Sequence, residues 1–165
     1  MPDHNRRRFL RLALGGTGLT LAGSAAGQHG RGDRDRRSDD GLVTVPSEAS
    51  FSATVDRLTT AIEDNENLTL LATIDHAANA ESAGLELPPT TLLVFGNPQL
   101  GTQLMQSARS VAIDLPQKLL VTEAEGSVTV TYNDPSWVAE RHGIYDRADV
   151  LDTIGVALSG LASGE

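Results

Sequence analysis

Asp75-His76 is the pair in this chain best suited to proton chemistry: an imidazole with a carboxylate beside it, where an apolar run ends. There His76 can act as general acid or base on a bound ligand, with Asp75 as partner, or can hydrogen-bond within the fold at a helix start. Asn79 follows three residues later on the same helix face, whereas Glu81 is expected to point to solvent. Gly96-Asn97-Pro98 reads as a second helix start. Its free backbone N–H groups can receive a carboxylate, a phosphate or a sulfur oxyanion, unless Asn97 simply caps them. Tyr132 and Trp137 combine apolar area with a polar handle and suit a pocket wall or a subunit contact. His76 and His142 could share a metal or a haem iron, but no HxxxH, HxxE or facial-triad spacing accompanies them, so no metal site is assigned.

Several chemistries are excluded at this level. The chain has no cysteine, which removes thiol nucleophiles, disulfides, thiolate zinc and iron–sulfur clusters. It has neither a Walker lysine nor a GxGxxG run, and no serine stands in a GxSxG elbow. The cofactor is left unknown. The candidate ligand-binding set is therefore His76, Asn79, Asn97 and Tyr132, with His76 and Asp75 as the candidate catalytic pair.

These residues need elements to hold them. Val43 to Val45 reads as a short strand. Phe51, Val55, Leu58 and Ile62 recur on one helical face, with Ser50 as cap. Leu68 to Ile74 and Thr91 to Phe95 are apolar strands, each followed by a helix: Ala77 to Ala83, and a second with Leu100, Leu104, Met105 and Ala108 on its apolar side. Lys118 to Thr122 and the alternating Val128, Val130, Tyr132 flank a glycine-containing turn and predict a hairpin. Pro135 to Arg141 is a short helix entered through an Asn133 or Asp134 cap. Val150, Leu151, Ile154, Ala157, Leu158 and Leu161 make the last helix. The order β-α-β-α-β-α-β-β-α-α predicts an α/β fold of the α+β type: a two-layer sandwich, one mixed sheet of about five strands with helices packed on it.

Asn5-Arg6-Arg7-Arg8-Phe9-Leu10-Arg11 resembles a twin-arginine export motif, followed by a glycine-interrupted apolar stretch too short for a comfortable membrane span. We read residues 1–26 as a signal peptide cleaved near Ala26 and 27–41 as a charged, disordered linker. Residues 42–165 are the folded domain. The expected location is extracellular or at the cell surface, with no stable span after cleavage. Asn67-Leu68-Thr69 satisfies the glycosylation rule in an expected surface turn.

Charge is divided unevenly. Residues 41–165 hold five basic against seventeen acidic residues, a net charge of −12, and Lys118 is the chain's one lysine. Such a surface does not bind a phosphate backbone, so nucleic acid is not an expected partner. It is the composition that a high-salt environment favours.

Asp75-His76-Ala77-Ala78-Asn79-Ala80, Leu93-Val94-Phe95-Gly96-Asn97-Pro98-Gln99-Leu100-Gly101, Leu115-Pro116 and Tyr132-Asn133-Asp134-Pro135 together resemble domain of unknown function family 302. The resemblance covers Phe51 to Leu161. It implies a compact two-layer α/β fold and no established reaction. Three functions are compatible with these residues: a module holding a small anionic or polar ligand without turnover, a small enzyme using His76, or a structural protein that self-associates as a homodimer through a sheet edge or the last helix.

Overall fold

The computed structural model of the protein describes Arg36–Arg37 and residues 40–165. The signal-peptide reading of 1–26 lies outside the described residues, as does most of the expected linker. Within that linker, Arg36–Arg37 form a two-residue strand, β1, along the outer side of β2 (Leu42–Ser47).

From β2 the chain enters α1 (Phe51–Glu63), as its apolar repeat predicts. The Ser50 side chain accepts a hydrogen bond from the Ala53 N–H, and Leu58 and Ile62 are fully buried. β3 (Thr69–Asp75), α2 (His76–Ser82), β4 (Thr90–Gly96) and α3 (Pro98–Ser107) follow. A 3₁₀ turn (Arg109–Ile113), which the sequence reading lacked, precedes β5 (Gln117–Ala124). β5 and β6 (Ser127–Asn133) form the expected hairpin, tightened to the two residues Glu125 and Gly126, both at positive φ. Pro135 opens α4 (Pro135–His142) behind an Asp134 cap, and α5 (Ala148–Ser163) closes the domain.

The sheet runs β1-β2-β6-β5-β4-β3, and every neighbouring pair is antiparallel. A mixed sheet was expected because helices separate the strands. The reason for the difference is length. α2 has seven residues and reaches about 10 Å, whereas β3 spans roughly 24 Å. It therefore turns the chain back at one end of the sheet instead of recrossing it. The 13-residue α1 does carry the chain across, linking the parallel strands β2 and β3 with three others between them.

One face of the sheet is apolar and covered. Val43 and Val45, Leu93 and Phe95, Leu119 and Val121, and Val128, Val130 and Tyr132 alternate inward along their strands. They pack with Leu58, Ile62, Leu104, Ile154 and Leu158 in a single core. Trp137 lies against the backbone at Gly41, where an added Cβ would run into its ring. That contact sets where α4 meets β2. β3 is one edge of the sheet, opposite the end at β1, and Leu71 there is 59% exposed.

Candidate functional site

The four residues of the expected ligand set are held by three different regions. β3 and β4 pair with Thr69 opposite Gly96 and Asp75 opposite Thr91. His76 and Asn79, just beyond Asp75, are thus at the opposite end of this pair from Asn97, roughly 17–20 Å along the strands. Tyr132 is 6% exposed within the core, two strands from β4.

Their local roles are specific. The Asp75 carboxylate accepts the Ala78 N–H at 2.9 Å, so it caps α2 and is engaged as a helix cap. His76 begins α2, half-buried, and makes no hydrogen bond or ion pair among the described residues. Asn79 is exposed. Asn97 Oδ1 accepts from the N–H groups of Gln99 (2.9 Å) and Leu100 (3.2 Å), so the helix terminus that could have received an anion is filled by the chain's own side chain. Asn67 lies in an exposed turn between α1 and β3, its N–H donating to Asn65 Oδ1 at 2.9 Å.

Asn97 nevertheless stands beside a cleft with the walls of a small-molecule site. An apolar cleft of about 400 Å³ opens between the start of β3, the end of β4, α3 and α5. Leu71, Phe95, Leu100, Met105, Ile154 and Ala157 supply its apolar walls, and Leu115 and Pro116 close one side. Asn97, Thr69, Thr102 and Gln117 are the polar residues along it. This is the balance of a ligand pocket: much apolar surface and few polar groups to orient what enters. Gly101 lines it from the first turns of α3. A Cβ there would meet only Leu115 Cδ1, at 3.8 Å. The sequence held one signal for the cleft: Leu100, Leu104 and Met105 make α3 apolar over more of its circumference than Leu104, its one buried residue, needs to anchor it to the core.

The cleft wall formed by 112–117 is fastened from behind. His142, 6% exposed at its side chain, places Nε2 2.6 Å from Asp114 Oδ2 and Nδ1 2.9 Å from Ser110 Oγ. A neutral imidazole with its proton on Nε2 satisfies both: N–H donates to the carboxylate and Nδ1 accepts the hydroxyl. Both ring nitrogens are therefore in use, so neither is left to ligate a metal with His76. Arg141 Nη1 reaches Asp114 Oδ1 at 3.3 Å while its guanidinium lies 5.6 Å from the Trp137 ring centre. Lys118 Nζ donates to the carbonyls of Asp114 (2.7 Å) and Pro116 (2.8 Å). Burial lowers the Lys118 amine below the ordinary lysine range, partly countered by the Asp114 charge. Ser110 and Asp114 carried no motif in the sequence, because 28 residues separate Asp114 from His142.

Comparison with known proteins bears on the family and the fold. Residues 43–161 match the model of the domain of unknown function DUF302. Two curated relatives are the fluoride-specific ion channel FluC 1 of Brucella suis biovar 1 and FluC 2 of Brucella melitensis biotype 1. Each is 45% identical over 113 residues that cover 68% of this chain, but only 44% and 42% of the respective relatives. The chain thus spans less than half the length of these relatives. Among solved structures, an uncharacterized conserved DUF302 protein from Bacillus stearothermophilus superposes with a TM-score of 0.67 at 20% identity, covering 74% of this chain and 95% of that one. That likeness concerns the fold alone. With the family model spanning nearly the whole folded region, the chain belongs to the DUF302 family.

Proposed function

We propose that the domain is a binding module for a small, predominantly apolar molecule, held in the cleft between α3, α5 and the β3–β4 edge. The observation that carries this reading is the cleft itself: about 400 Å³ with apolar walls and a polar rim at Asn97 and Gln117. Binding is favoured over catalysis because the titratable groups are committed to structure or lie elsewhere. Asp75 caps a helix, His142 ties down a wall, and His76 is at the far end of β3. An anion seated on the α3 terminus is disfavoured by Asn97, which already occupies it.

The relatives named as fluoride channels share only this segment with the chain. An ion pore needs spanning helices or a closed barrel. No helix among the described residues is long and apolar enough to cross a membrane, and the sheet is open at β3. This supports an accessory role for the shared segment. We further propose that the Arg6-Arg7 signal exports the folded domain. Arg6→Lys with Arg7→Lys should leave uncleaved protein inside the cell, and normal appearance of the mature mass outside would refute the export reading.

Gly101→Leu tests the cleft. The new side chain enters the cavity, while replacing a helical glycine favours α3 by about 0.5–1 kcal/mol. Titration with the neutral fluorophore N-phenyl-1-naphthylamine should give saturable binding to the native chain and at least a roughly tenfold loss in the variant, with thermal stability kept. Absence of saturable binding to the native chain would sink the proposal.

A further inference from the structure

We infer that the ligand of this cleft is an anionic amphiphile, a medium-chain carboxylate whose head group is held by Arg109; the inference rests on the binding reading above and adds the chemical class of the ligand.

Four of the five cations in residues 41–165 have visible work. Arg57 donates to the last carbonyls of α5, at Leu161 and Ala162. Lys118 holds two carbonyls, Arg141 pairs with Asp114 and Arg147 pairs with Asp146. Arg109 alone among them makes no hydrogen bond or ion pair within the described residues, and it is exposed. In a domain with seventeen acidic residues, an unclaimed guanidinium is the uncommon case. Two carboxylates tied to this stretch of chain, Asp146 through Ser107 and Asp114 at the exit of the 3₁₀ turn, are already engaged. Asp146 is bonded by Ser107 and Arg147, and Asp114 by His142 and Arg141.

The position of Arg109 joins it to the cleft. It lines a shallow groove between α3 and the 3₁₀ turn, together with Thr102, Met105 and Ala112. Those three residues also line the apolar cleft. The apolar cleft and the groove lined by Arg109 therefore share a wall at Thr102, Met105 and Ala112. A guanidinium binds a carboxylate through two parallel N–H···O bonds, and one arginine balances one negative charge. The surrounding negative field repels anions in general, so a carboxylate is retained only if its apolar body fills the cleft. A neutral molecule of the same shape gains the cleft and forgoes the arginine.

Calorimetric titration of the full chain with decanoate and with 1-decanol at neutral pH, below self-association of either, separates these contributions. The native chain should bind decanoate about tenfold more tightly than decanol. Arg109→Gln should erase that preference and leave decanol binding unchanged. Equal affinities in the native chain, or decanoate binding indifferent to Arg109→Gln, would overturn the carboxylate assignment while the cleft reading stands. Failure of both ligands to bind removes the cleft reading and this inference with it.

Discussion

At the scale of single residues, the histidine that matters structurally is His142, not His76. It couples the segment behind the cleft to α4 through Asp114 and Ser110, with both ring nitrogens satisfied. Removing the ring strands a carboxylate that is only 14% exposed, leaving it the longer contact to Arg141. His142→Ala should therefore cost about 1–3 kcal/mol in urea unfolding, the penalty for losing a charge-assisted bond and a well-packed ring together. It should also weaken binding of the naphthylamine probe, since the wall at Leu115 and Pro116 loses its fastening. A destabilisation below about 0.5 kcal/mol, the range of ordinary surface changes, would show that the corner carries no such load. His76→Ala, by contrast, removes no hydrogen bond or ion pair present among the described residues.

At the scale of elements, local signals were readable and long-range ones were not. Ser50, Asn97 and Asp134 stand as caps where helix starts were expected, because a cap is a contact within three residues. The alternation of Val128, Val130 and Tyr132 places all three inward, as a period of two requires. The antiparallel return through α2 depends on a helix too short to recross the sheet, and the sequence order alone does not distinguish that from a crossover. The same limit governs the site. Asp75-His76 and Gly96-Asn97-Pro98 look equivalent in sequence, each a polar group between a strand and a helix. Antiparallel pairing of β3 with β4 sends them to opposite ends. Arg109, Ser110 and Asp114 lie in a 3₁₀ turn and its exit. The partners of Ser110 and Asp114 come from α4, and no periodic pattern announces such a segment.

At the scale of the whole molecule, the surface charge is the dominant fact. Fourteen of the seventeen acidic residues in 41–165 are exposed. The exposed ones repel one another in the folded state more than in the expanded chain, because folding brings them closer together. Screening contracts from about 10 Å at 0.1 M salt to about 3 Å at 1 M, shorter than the spacing between most surface charges. Thermal unfolding of the full chain should therefore shift upward by several degrees between 0.1 and 1 M KCl. Most of the gain should come in the first few tenths molar, where the screening length falls fastest. A steady rise continuing past 1 M would instead point to salt strengthening apolar burial, which grows with salt concentration. An unfolding midpoint that is flat or falls would mean that the acidic surface imposes no net repulsion, and the salt-adapted reading of the composition would be lost.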